Sequence, residues 1–254
     1  MGFFPAVDGV DGSHRSRIRN PNSPDSICLH ELGPIGSDTV YTDNRYHKSM
    51  AQESEGRQLS VLAQLVRAIE PKGAEILALS LINEFGSVGQ VLSAQASKIA
   101  KYTGNQRLAE AFKAAREAVV EGLREEVSRS RINLRDPTFL GYLVAKTRGS
   151  EENLHTVFLD SHDRYLSDER VASGDWTSIA VRLRPLLRRT VEIGAAKIVL
   201  CHNHPSGNPE PSSEDITFTR EAARVARALG IELVDHLIVA GRSVFSMRTA
   251  GLIE

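Results

Sequence analysis

Residues 196–230 read AKIVLCHNHPSGNPEPSSEDITFTREAARVARALG, and they spell a strand, a loop and a helix in that order. Ile198, Val199, Leu200 and Cys201 are apolar in unbroken succession. A strand of that kind is expected at the centre of a sheet, covered on both faces. Side chains alternate along a strand, so Ile198, Leu200, His202 and His204 share one face and Val199 and Cys201 point the other way. Pro205, Gly207, Pro209 and Pro211 cannot continue the strand and force a loop. A helix then starts at Ser212 and ends at Gly230.

Two imidazoles aimed the same way at a strand end have the geometry to grip one metal ion, and they need a third ligand. Asp215 falls in the first turn of the following helix, and the loop is able to bring it back to face them. Two histidines and an aspartate with an open fourth position for water form a catalytic zinc arrangement, unlike the closed four-ligand structural sites. The same letters have a plainer reading. Ser212 with an acid three residues later fits a helix capping box, and a histidine pair on a strand end often does nothing. The two readings are compatible, because the cap is also a means of positioning Asp215.

Outward from this stretch, residues 132–254 alternate strand and helix signals. LHTVFLD (154–160) and SDERVASG (167–174) read as strands, and RPLLRRTVEIGA (184–195) as a helix with Pro185 in its first turn. IELVDHLIVAG (231–241) and SVFSMRT (243–249) read as two more strands. That alternation predicts an α/β sandwich on a central mixed sheet. Residues 56–131 are helical in pattern instead. Val61, Leu62, Leu65, Val66 and Ile69 fit one helix face that Pro71 stops, a second helix closes at Gly86, and an Ala-rich amphipathic helix follows over 105–127. Residues 1–55 are rich in Gly, Pro, Ser, Asp and Asn without apolar period, and are expected to form a disordered tail.

Composition narrows the class. The formal net charge of −1 over 254 residues argues for no particular charged partner. The two cysteines, Cys28 and Cys201, frame neither a disulfide-rich fold nor a four-cysteine zinc site. No apolar run reaches the ~20 residues of a membrane span. The first residues lack the basic and apolar segments of a secretory signal, so a cytoplasmic protein is expected.

His202-x-His204-Pro205, six residues, then Ser212-x-x-Asp215 resembles the JAMM motif of the JAB/MPN metalloprotease family. The fuller string HNHPSGNPEPSSED, with LGIELVDHLIVAG after it, resembles the bacterial RadC-like branch, over about residues 132–254. The helical segment is similar to the RadC N-terminal region with its helix-hairpin-helix-like unit, although Gly104-Asn105-Gln106 stands where such a hairpin carries two glycines. The resemblance implies an MPN (deaminase-like) sandwich after a small helical module. It implies His202, His204 and Asp215 as zinc ligands and Ser212 as a donor to the tetrahedral intermediate. It also implies an upstream glutamate that handles the proton of the attacking water, and Glu169, five residues before Gly174, fits it. Asp175-Trp176 replaces the small polar pair usual after that glycine.

Other groups have bland alternatives. His236 is either a group orienting a ligand or a hydrogen-bonded core histidine, and Asp235 beside it is treated alike. Cys201 points away from His202 and reads as packing. His155 and His162 read as structural or exposed. Arg182, Arg184, Arg188 and Arg189 can contact phosphates, but fit a solvated helix face better. His202-Asn203-His204 is no HNH nuclease signature, whose residues lie far apart. The leading expectation is a zinc metallopeptidase acting on a peptide or isopeptide bond of a peptide or protein substrate. A DNA-associated repair or mobile-element accessory protein, contacting DNA through the helical module, is the alternative. A metal-free MPN scaffold is a third reading, against which the intact His/His/Asp set argues.

Overall fold

A computed structural model of the chain describes residues 44–173 and 179–253. Residues 1–43 of the tail expected over 1–55, and Gly174, Asp175 and Trp176, lie outside the described residues. Six helices come first: α1 (Asn44–Arg67), α2 (Ala74–Phe85), α3 (Val88–Ser93), α4 (Ala96–Thr103), α5 (Gln106–Ser128) and α6 (Pro137–Thr147). Then follow β1 (Asn153–Leu159), β2 (Tyr165–Ser173), α7 (Ile179–Ile193), β3 (Lys197–Asn203), α8 (Ser213–Ala228), β4 (Glu232–Ala240) and β5 (Ser243–Ser246).

Residues 44–55, read from the sequence as tail, belong to α1. Residues 53–57 of this helix are exposed, so they show no apolar period from which helix could be read. Lower in the same helix Leu62 and Val66 are buried with Leu65 and Ile69 packed beside them. Val61 is 47% exposed and does not belong to that face, since the 3.6-residue repeat reaches i+3, i+4 and i+7 from Leu62 and excludes its neighbour. Gly86 ends α2 at positive φ as expected. Gly104 ends α4 in the left-handed region, and the Asn105 side chain accepts from Leu108 N at 3.1 Å to cap α5. The hairpin-like letters are thus occupied with closing one helix and opening the next.

The sheet order is β2-β1-β3-β4-β5. β1 runs antiparallel to both β2 and β3, β3 and β4 are parallel, and β5 is antiparallel to β4. The mixed α/β sandwich on a central sheet, preceded by helices, is the expected fold. β3 is central and its residues divide as alternation demands. Ile198 and Leu200 join Phe218 of α8 and Leu186 of α7 in one core, while Val199 and Cys201 join Phe139, Tyr142 and Leu143 of α6 in another. Val127, near the end of α5, also packs in the second core.

Two elements differ from the sequence reading. α7 starts at Ile179, so Pro185 lies inside the helix and not in its first turn. It lacks the N–H that would bond the carbonyl of residue 181. α6 has no periodic signal in the sequence. It is short, and its signal was terminal: Asp136 caps it by accepting from Thr138 N at 2.7 Å, and Pro137 occupies the first turn.

Candidate metal centre

β3 and α8 meet at the end of the sheet where the strand stops. His202 is wholly buried there. His204 lies just past β3, but its N–H donates to Val239 O at 2.8 Å, so it keeps the extended register and the face of His202. The loop turns at Gly207, whose φ of 85° suits glycine. It returns at Ser212, and Asp215 sits at the third position of α8. His202, His204 and Asp215 each offer one ligand atom within 4.8 Å of the others. His202 Nε2 and His204 Nε2 are 2.8 Å apart. Asp215 Oδ1 is 3.4 Å from His202 Nε2 and Oδ2 is 3.5 Å from His204 Nε2. An open cavity of 480 Å³ borders the group, lined by Glu152, Asn208, Glu210 and Ser212 among others.

The hydrogen-bond network assigns the protons. His204 Nδ1 lies 2.7 Å from Asn208 O. A carbonyl only accepts, so His204 carries its hydrogen on Nδ1 and, when neutral, a lone pair on Nε2. On the other side, Thr219 Oγ1 is 2.5 Å from Asp215 O and 2.6 Å from His236 Nδ1. Its single hydrogen goes to the carbonyl, so it accepts from His236 Nδ1–H. That leaves His236 Nε2 as an acceptor for His202 Nδ1–H at 2.8 Å. His202 Nε2 is then also a lone pair. With both rings neutral, two imidazole lone pairs and a carboxylate converge with no hydrogen among them, an arrangement that a cation, or a proton shared between His202 and Asp215, relieves.

Asp215 is fixed from its own helix. Its Oδ2 accepts from Ser212 N at 2.9 Å and from Ser212 Oγ at 2.6 Å, while its N–H donates to Ser212 Oγ at 3.1 Å. This is the capping box expected from the letters. Burial alone would raise the Asp215 carboxyl, but His202 and the Ser212 donors outweigh it and hold the group well below the usual range. The start of α8 favours the same ionised form. The Ser212 hydroxyl hydrogen points at Asp215, not into the cavity.

Glu169 stands apart from this group. Leu154 pairs with His202 and Thr156 with Leu200, and Glu169 pairs with Thr156, so Glu169 faces the same side of the sheet as the histidines. Two inter-strand spacings and two residues separate it from His202, roughly 12 Å between Cα atoms at ordinary sheet spacings. Its carboxylate, 36% exposed, is held by Arg189 of α7 at 2.6 Å. Asp168 turns to the opposite face, where Tyr142 donates to it at 2.6 Å and Lys146 lies at 2.7 Å. Alternation thus separates the two neighbouring acids.

The remaining candidates sort cleanly. His236 is buried and hydrogen-bonded to His202 Nδ1 and Thr219 Oγ1, contacts that both of its readings share. Asp235 is a structural acceptor, taking His236 N at 2.7 Å and Arg248 N at 3.0 Å. Burial pushes the Cys201 thiol up, so it is inert packing. His162 is exposed and His155 is buried on the other face. Arg188 and Arg189 face Glu192 at 3.6 and 3.3 Å and Arg184 is exposed, as a solvated helix face requires; the side chain of Arg182 lies outside the described residues. Asn203 is a further structural residue of this site. Its Oδ1 accepts from Asn153 N at 2.9 Å and its Nδ2 donates to Glu151 O at 2.9 Å, pinning the loop before β1 to the end of β3. A polar residue on the covered face of a strand, between two histidines, was the available signal.

Residues 137–252 match the family model described as the RadC-like JAB domain. A UPF0758 protein of Rhodobacter capsulatus is 32% identical over 196 residues, covering 74% of this chain and 89% of that protein. This chain belongs to the RadC-like JAB family. A UPF0758 protein of Neisseria meningitidis serogroup B is 32% identical over 179 residues, covering 69% of this chain and 79% of its own. A relative from Neisseria gonorrhoeae is 30% identical over 178 residues. The RadC-like match spans α6 to the end of β5 and therefore contains β3, α8 and the whole histidine group. Among the described residues no helix is long and apolar enough to cross a membrane.

Proposed function

We propose that this RadC-like protein is a zinc-dependent hydrolase that cleaves a peptide or isopeptide amide bond in a peptide or protein substrate. The observation that carries the reading is the convergence of the His202 and His204 Nε2 lone pairs with the Asp215 carboxylate. Tetrahedral zinc with bonds of about 2.0–2.1 Å needs ligand atoms roughly 3.3 Å apart. The two His–Asp separations, 3.4 and 3.5 Å, fit, and the two imidazoles, at 2.8 Å, need only open slightly. Nitrogen and carboxylate donors in this number suit zinc with one open position.

A zinc ion held there supplies a Lewis acid that acidifies water and polarises an amide carbonyl. The protein's residues do the rest. His202 and His204 present neutral nitrogens whose orientation is fixed from behind by His236 and Asn208. Glu169 takes the proton of the attacking water and hands it to the leaving amine, for which it must exchange its contact with Arg189. Ser212 turns its hydroxyl from Asp215 toward the developing oxyanion. The cavity beside Glu152 and Glu210 receives the chain to be cut.

Elemental analysis and a peptide-cleavage assay test this together. Wild type should hold one zinc per chain, His202→Ala and Asp215→Ala should lose it, and Glu169→Gln should keep zinc while losing hydrolysis. A wild-type protein that takes up no zinc would sink the reading.

A further inference from the structure

A second cavity opens mainly on the sheet face opposite His202 and passes around the β2 edge to reach Glu169. It is a groove of 810 Å³ between the α3–α4 junction, α5 and the strand edge, and it includes His155, Arg116, Arg148 and Arg170. The carboxylates on its walls are already engaged. Asp168 has Lys146 at 2.7 Å and Glu169 has Arg189 at 2.6 Å. Glu121 has Arg124 at 2.5 Å, Glu117 faces Lys113 at 3.8 Å, and Glu151 accepts from Gln95 at 2.8 Å.

The arginines are not engaged in this way. Among the described residues, no ion pair joins Arg116, Arg148 or Arg170 to a carboxylate. Arg116 gives one nitrogen to the carbonyls of Lys146 and Arg148, at 3.2 and 2.6 Å, which fixes its plane and leaves its other donors free. Arg170 has only a long contact to Asn153 Oδ1, at 3.4 Å. Arg148 rests on Gly89, where a Cβ would lie 1.7 Å from its Nη1, so the guanidinium occupies space that any other residue at 89 would fill. Burial and the positive charge of Arg148 lower the pKa of Arg116, and burial and Arg242 lower that of Arg148. Arg116 and Arg148 lie close enough to repel, Arg116 and Arg170 both act on His155, and Glu117 offsets only part of the repulsion at Arg116.

His155 supplies an independent sign of a ligand. It is 7% exposed, and its Nδ1 is buried without a hydrogen-bond partner. A buried N–H without an acceptor is rarer and costlier than a buried lone pair. The neutral ring therefore carries its hydrogen on Nε2, the nitrogen left accessible, and offers it to the groove.

We propose that this groove binds the phosphate group of a small phosphorylated ligand, held by Arg116, Arg148 and Arg170 with His155 donating from Nε2. Three guanidinium forks exceed what the two oxygens of a carboxylate can accept, and suit the three terminal oxygens of a phosphate monoester. The volume is that of a small-molecule site. Leu92, Ala94, Ala96 and Val120 give the ligand's body an apolar wall.

Calorimetric titration of the full chain at low salt tests the proposal, with inorganic phosphate, adenosine 5′-monophosphate and a single-stranded oligonucleotide lacking a terminal phosphate as probes. The titrations are made in the His202→Ala background, so that phosphate cannot report on zinc. Inorganic phosphate and the monoester should bind saturably. Arg148→Gln should weaken both about tenfold or more, as loss of charge-assisted bonds implies. Gly89→Ala, which displaces the guanidinium without removing it, should also weaken both, with circular dichroism confirming that each variant is folded. The proposal is overturned if phosphate shows no saturable binding, if folded Arg148→Gln binds it as wild type does, if acetate competes equally, or if only the oligonucleotide binds.

Discussion

His202 Nδ1 and His236 Nε2 are 2.8 Å apart, although 34 residues separate them in the chain. Strand β4 carries His236 beside β3, and Thr219 of α8 fixes its ring from behind. If this contact sets the tautomer of His202, a side chain that accepts at the Nε2 position should substitute for it. His236→Gln should retain zinc within a few-fold, whereas His236→Leu should lose roughly 10–100-fold in affinity. Competition with a chromophoric chelator measures both; equal affinities for Leu and Gln would refute the orienting role.

Ser212 caps α8, and in the proposed mechanism it also donates to an oxyanion; the two roles are separable. As the cap of α8 its loss in Ser212→Ala should cost about 1 kcal/mol in urea unfolding. As a donor to an oxyanion its loss should lower kcat by about 10²–10³-fold at full zinc occupancy. A variant that is less stable but keeps its turnover per bound zinc would confine Ser212 to positioning Asp215.

Asn203 should matter for stability and not for zinc chemistry. Asn203→Ala strands the Asn153 N–H and the Glu151 carbonyl that it now satisfies, at a cost of about 1–3 kcal/mol in denaturant unfolding. Asn203→Asp should be worse, since it places a carboxylate oxygen against that carbonyl. Wild-type stability in either variant would show that the loop before β1 needs no anchor.

His155 gives a pH signature. Burial, with the charge of Lys146, pulls its pKa from 6.5 to about 4. Below pH 6.5 the unfolded chain binds a proton that the folded chain refuses. Stability therefore falls as the pH drops from 6.5 toward about 4 and is level in this respect below that. The loss is on the order of 3 kcal/mol. His155→Gln should flatten the acid limb by about that amount when unfolding free energies are compared across this range. An unchanged slope would place the histidine in a more solvated setting than the structure shows.

What the sequence made legible was local and periodic. The alternation of Ile198, Leu200 and His202 against Val199 and Cys201 gave both the burial of β3 and the convergence of the imidazoles. The prolines of 205–211 and the Ser212–Asp215 spacing gave the return of the third group. Patterning failed where no apolar stripe exists, as over residues 44–55, and where a terminus was the only signal, as at Asp136-Pro137. It had no access to contacts made between distant segments. Thr219 behind His236, Arg189 on Glu169 and Asn203 on the loop before β1 depend on which strands become neighbours, and no spacing along the chain encodes that.

The pleat of β3 has a further consequence. His202 and His204 serve one face, while Cys201 and Asn203 serve the other, in strict succession. Insertion or deletion of a single residue within β3 would exchange the two sets. The imidazoles would be driven beneath Tyr142 and Leu143, and the loop anchor would be delivered to the cavity. Substitutions along this strand act one side chain at a time, but a change of its length acts on both layers of the sandwich at once. Length variation in relatives should therefore be confined to the loop that begins at Pro205, with β3 kept at fixed length.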